Sequence, residues 1–188
     1  MTKTITSDDN ITSFLTNVGL ITTNGPFGYN VMSCEWTHQI SYDPPLIALA
    51  IRSHKATYQN IIATKVFGVN IASEQQNVLS ATAGNRSAKN VDKIKMLEEM
   101  GIKFYKAENI DVLMVKDACL NAECKLIDTK DIGDHPLLIG QIVAFQEDHA
   151  KKPLIYHQGK YWKLGDNIPK PGEELLNKIS KLNDKYQK

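Results

Sequence analysis

Arg52-Ser53-His54-Lys55-Ala56-Thr57 puts two cations, an imidazole and two hydroxyls within six residues. The run follows an uninterrupted aliphatic segment, residues 46–51, and precedes Tyr58, Ile61 and Ile62 at helical spacing. A strand therefore ends and a helix begins around these polar side chains. The first N–H groups of a helix lack partners within it, and the macrodipole favours negative charge there. Arg52 can fork onto two oxygens and Lys55 adds a point charge. Ser53 and Thr57 can donate neutral hydrogen bonds, and His54 is a further ring donor. A terminal phosphate needs this set. The plainer alternative is that Ser53 caps the helix and the charges face water.

Three other stretches carry chemistry. In Asn30-Val31-Met32-Ser33-Cys34-Glu35-Trp36, strand alternation puts Asn30, Met32, Cys34 and Trp36 on one face and Val31, Ser33 and Glu35 on the other. An amide, a thioether, a thiol and an indole together suit a flat heteroaromatic ligand; the alternative is a core face around Trp36. His135, in Gly133-Asp134-His135-Pro136, sits in a turn before an apolar strand. It could hydrogen-bond a ligand, transfer a proton or serve the fold. Ala83-Gly84-Asn85-Arg86-Ser87-Ala88 has small residues that allow close backbone approach, and Lys93 opens the next helix. The alternative there is an exposed loop with solvated charges.

The elements that must hold these residues are mostly strands. Residues 19–23 and 29–36 flank the turn cluster Asn24-Gly25-Pro26-Phe27-Gly28 and read as a hairpin. Residues 46–51 are apolar on both faces, which predicts a strand in the middle of a sheet, covered on both sides. Residues 66–72, 118–127, 137–145 and 154–156 add strands, with a hairpin around Gly159. Helices are predicted over residues 56–65, 74–82 and 91–100. A last helix, about residues 171–186, carries Glu173 and Glu174 in its first turn and the stripe Leu175, Ile179, Leu182 and Tyr186. Such a helix packs on its own domain or on a partner subunit. Strands in succession predict a mainly β fold with peripheral helices, a barrel or strongly curved sheet, in a single domain over residues 1–188.

Composition narrows the classes. Lys+Arg 22 against Asp+Glu 21 leaves a net charge of +1, without the basic excess of a nucleic-acid binder. The longest aliphatic run has six residues, where a bilayer needs about 20, so no membrane span is expected. Asp8 and Asp9 stand where a signal peptide would be apolar. Cys34, Cys119 and Cys124 are odd in number and lack C-x-x-C spacing, which fits a reducing cytoplasm. Cys34 is the thiol to watch, because it shares the strand of Asn30. The five histidines have no metal-ligand spacing, so no metal is expected. Phosphate-loop, dinucleotide and nucleophile-elbow patterns do not occur.

Taken in order, these segments resemble the flavin reductase-like family, the FMN-binding split barrels, and within it the flavoredoxin-like branch. The resemblance rests on Asn30-Val31-Met32-Ser33 with Trp36, Asp43-Pro44-Pro45-Leu46, the run from Arg52 to Thr57, and Phe67-Gly68-Val69-Asn70-Ile71. Asp92-Lys93-Ile94, Gly133-Asp134-His135 through Gly140, and Pro153-Leu154-Ile155-Tyr156 complete it, over about residues 18–165. It implies a homodimeric split β-barrel with FMN near the subunit interface. It implies ring contacts at Asn30, Val31, Met32 and Ser33 with Trp36 nearby, and phosphate contacts at Arg52, Ser53, His54, Lys55 and Thr57. It implies that Lys93 reaches the flavin and that His135 is the catalytic histidine on the nicotinamide or flavin side. The family's Ser-Gly-Arg before the Asp-Lys pair is replaced here by Gly84-Asn85-Arg86-Ser87-Ala88-Lys89.

The leading expectation is a cytoplasmic FMN oxidoreductase, reduced by NAD(P)H and passing electrons to a flavin or a protein acceptor. The alternative is an electron-transfer protein with the same FMN pocket and no nicotinamide site. A ligand-binding or structural barrel without redox chemistry is the third reading.

Overall fold

Short β-branched and aliphatic segments, separated by tight turns, pair antiparallel to build the molecule. A computed structural model describes residues 13–187; Asp8 and Asp9 lie outside the described residues. In chain order the elements are β1 (Thr16–Asn17), β2 (Gly19–Thr23), β3 (Asn30–Cys34), β4 (Thr37–Tyr42), β5 (Pro45–Ala50), α1 (Ala56–Thr64), β6 (Val66–Ile71), α2 (Asn77–Asn85) and α3 (Lys93–Glu99). They continue as β7 (Phe104–Lys106), β8 (Leu113–Val115), β9 (Leu120–Lys130), β10 (Leu137–Glu147), β11 (Leu154–His157), β12 (Lys160–Lys163) and α4 (Glu173–Lys185). Seven strands form one sheet in the order β3-β2-β6-β9-β10-β5-β4. Register shifts at Ile139/Gly140 and Ile142/Ala144 interrupt the β9–β10 pairing; such irregularities bend a strand pair and curl its sheet. The hairpin expected around Gly159 is β11–β12, and β1 pairs with β11.

The two faces of the sheet bury separate cores. One collects Ile21, Leu49, Ile51, Phe67, Val69 and Leu138, with Ile61 of α1. The other packs Leu20 and Val31 against Leu79 and Ala83 of α2 and Leu97 of α3. Gly140 makes the first core possible. A Cβ there would lie 2.3 Å from Cζ of Phe67, which is fully buried. Gly140→Ala is expected to destabilise the protein by about 1–3 kcal/mol in urea unfolding, because Phe67 has no room to retreat.

Asn60 fixes α1 to the turn of the first hairpin. Its Nδ2 donates to Thr23 Oγ1 and to the Gly28 carbonyl, each at 3.0 Å, and its Oδ1 accepts from the Phe27 N–H at 3.0 Å. The three bonds close the turn between β2 and β3 onto the helix.

Four details differ from the sequence expectations. The segment around residues 46–51 is not a central strand covered on both sides. β5 lies next to the sheet edge, with Ile47 and Leu49 buried and Leu46, Ala48 and Ala50 partly exposed. Its outer neighbour β4 reads THQISY, whose polar, mostly exposed residues gave no strand signal. Helix α2 starts at Asn77 rather than near Glu74. Ser73 N–H donates to Gln76 Oε1, and Gln76 Nε2 donates to the Lys116 carbonyl, so residues 73–76 form a tied turn ahead of the helix. Helix α4 forms, but Leu175, Leu176, Ile179 and Leu182 stay exposed, so the described residues do not cover its stripe.

Candidate functional site

The chemistry-bearing stretches converge on one cavity of about 700 Å³. β3 supplies Asn30, Met32 and Ser33, with Trp36 just beyond its end. The end of β5 and the start of α1 supply Arg52, Lys55 and Thr57. α3 supplies Lys93, and the turn before β10 supplies Asp134 and His135.

The α1 terminus is built without a cap. Its N-cap residue is Lys55, and no side chain accepts from the first turn. Ser53 therefore does not cap the helix, and the helix's first N–H groups keep their donor capacity. Thr57 is buried, and its Oγ1 accepts from Asn30 Nδ2 at 2.8 Å, joining β3 to α1. Asn30 is 1% exposed, and its Oδ1 has no donor among the described residues.

Lys93 is 2% exposed. Its Nζ donates to the Val31 carbonyl at 2.5 Å and to the Ala83 carbonyl at 3.2 Å. No ion pair to it forms among the described residues. Burial first, and Lys55 second, push its pKa down to about 8. Around the cavity, Arg52, Lys55, Arg86 and Lys93 face only Glu35 and Asp134 as acids. The excess is positive and favours an anion.

His135 is fixed from two sides. Its Nδ1 lies 2.7 Å from Asp134 Oδ1, and its ring meets Trp36 edge-on at 4.7 Å. The hydrogen bond to His135 is the main reason the Asp134 carboxyl stays below its usual range, and Asp134 Oδ2 also accepts from Arg52 Nη2 at 3.0 Å. A carboxylate only accepts, so Nδ1 carries the proton and Nε2 is left for a ligand.

Some predicted residues fall elsewhere. Val31 is fully buried in the second core, and only its carbonyl serves the site, through Lys93. Ser53 and His54 are exposed and do not line the cavity. Cys34 does border the cavity, but it is buried, its Sγ donates to the Trp36 and Ala50 carbonyls, and burial pushes the thiol up to about 11. That makes it inert rather than reactive. Sequence reasoning assigned no ligand contact to Gly84, Asn85, Arg86, Ser87 and Ala88, which form one wall. Their small residues were the available signal. α2 runs to Asn85, past the expected end at residue 82, so Gly84 and Asn85 close the helix at the wall and Arg86, Ser87 and Ala88 follow it there.

No helix among the described residues is long and apolar enough to cross a membrane. A family described as the flavin reductase like domain matches residues 11–165. An uncharacterised protein of Pyrococcus abyssi is 32% identical over 116 residues, covering 62% of this chain and 64% of that protein's length. An NADH-dependent FMN reductase named RutF, from Bradyrhizobium diazoefficiens, is 23% identical over 152 residues, 81% of each chain. The crystal structure of flavoredoxin from Methanosarcina acetivorans superposes with a TM-score of 0.78 at 21% identity, covering 93% of this chain and 100% of that one. The curled antiparallel sheet, the peripheral helices and the match over most of the chain agree: this protein belongs to the flavin reductase-like family.

Proposed function

We propose that the protein is an FMN-binding oxidoreductase that takes electrons from NAD(P)H and delivers them to a flavin or a protein acceptor. One observation carries this reading. An uncapped helix terminus with Arg52 and Lys55 opens onto the same cavity as Asn30, Met32, Ser33 and Trp36. The donor set fits a flavin phosphate: cations and free N–H groups for a doubly charged end, and an amide, a thioether and an indole for a flat ring. The orphaned Asn30 Oδ1 supplies an acceptor for a ring N–H. Bound FMN would supply hydride and electron chemistry that no side chain here can perform. Thr57 adds a hydroxyl at the phosphate end, and Lys93 holds a buried positive charge beside β3. His135 offers Nε2 at the cavity wall to the electron donor. The name of the RutF relative supports NADH as that donor.

The reading includes a homodimer. Ile40 and Tyr42 of β4, Ile127 of β9, and Val143 and Phe145 of β10 leave apolar area exposed on the sheet, which supports pairing of two copies.

The purified protein is expected to be yellow, or to take up FMN on titration, and to bleach anaerobically with NADH or NADPH. Absence of both the chromophore and FMN uptake overturns the reading. A bound flavin that stays oxidised with both nucleotides makes the protein an electron carrier without a nicotinamide site.

A further inference from the structure

A second cavity, about 350 Å³, backs onto the first. Ser33, Glu35, Gly84 and Asn85 line both, so a single wall divides them. The rest of its lining belongs to it alone: Asn17 of β1, Ser80 and Ala81 of α2, and Tyr156 and Tyr161 of the β11–β12 hairpin among them.

Its chemistry is the reverse of its neighbour's. No lysine, arginine or histidine lines it among the described residues, and Glu35 is its one carboxylate. An anion drawn to the four cations of the first cavity has nothing to hold it in the second. Its lining leaves acceptors unfilled beside the amides of Asn17 and Asn85. Tyr161 OH donates to Ser80 Oγ at 2.9 Å, and Ser80 Oγ shares a 2.9 Å bond with Ser33 Oγ. With its proton committed, the Tyr161 oxygen has only lone pairs left. At the edge, Asn17 Oδ1 is buried without a donor among the described residues. Tyr156 and Tyr161 meet edge-on at 5.6 Å and give the cavity an aromatic side, which attracts flat rings and cations. The volume suits a single substituted ring.

We infer that the second cavity binds a small aromatic ligand bearing an N–H donor and no negative charge, a primary ammonium or carboxamide on one ring. This goes beyond the flavin reading and stands without it, because the residues that select the ligand's donor and ring line only the second cavity.

The test is calorimetric titration of the purified full chain with benzylammonium, benzamide and benzoate. Benzylammonium and benzamide are expected to bind, and benzoate to bind at least about ten-fold more weakly. Ala81→Leu fills the cavity from α2, and Tyr161→Phe removes the free lone pairs. Each is expected to weaken benzylammonium about ten-fold. Flavin-fluorescence titration of both variants should give unchanged FMN affinity. Benzoate binding as tightly as the others, no binding of either donor ligand, or two variants that leave benzylammonium affinity unmoved would each overturn the inference. A protein that binds benzylammonium but no FMN would keep this site and remove the flavin reading.

Discussion

Alanine at Arg52 and Lys55 together is expected to weaken FMN about 100-fold while leaving riboflavin within about three-fold, since each charged hydrogen bond to a phosphate is worth at least ~1.5 kcal/mol. Both side chains are exposed, so the lower end of that range applies and the loss should shrink in high salt. Folding should suffer little. Arg52 loses an ion pair to Asp134 in which both partners are solvent-exposed, and such pairs contribute little. Fluorescence titration with the two flavins is the measurement. Equal losses for FMN and riboflavin would refute the phosphate assignment, because riboflavin has the same ring and ribityl chain without the phosphate.

The second large effect belongs to Lys93. Its pKa falls from 10.5 in the unfolded chain to about 8 in the folded one. Below about 8 both states are charged, and above about 10.5 both are neutral. Between those values the unfolded chain binds the extra proton, so this group makes stability rise with pH across the window, by roughly 3 kcal/mol in all. Urea unfolding from pH 7.5 to 10.5 should show the rise as a difference between wild type and Lys93→Met. A pH-independent difference would contradict it. A bound anion acts in the opposite sense by favouring the charged amine. FMN binding near pH 8.5 is therefore expected to take up protons, seen as a dependence of calorimetric heat on buffer ionisation enthalpy, and Lys93→Met should abolish it.

Local signals carried much of the fold. The turn cluster 24–28, the glycine at 159 and the strand runs each stated their structure in adjacent residues, and the structure follows them closely. What adjacent residues could not state was neighbourhood. The run 46–51 looked doubly buried because apolarity alone does not distinguish a central strand from one beside a polar edge strand. β4 escaped notice because exposed edge strands have no buried face to pattern. The site divides the same way. Arg52, Lys55 and Thr57 were legible because a strand-to-helix junction is a local event. The near-complete burial of Lys93 was not, since it depends on carbonyls of Val31 and Ala83 that are distant in sequence. Arg86 and its neighbours follow the end of α2, and their place in the wall depends on how that helix packs on β3, which no adjacent residues state.

The ties from Asn60 to the hairpin turn, and from Asn30 to Thr57, join the first hairpin to α1 at two places. Under the proposed reading they make the pocket a fixed gauge. The gap between ring seat and phosphate seat would then be set by side-chain amides rather than by a hinge, matched to one ribityl-length connector, and flavins sharing that chain would differ there only in the phosphate that ends it.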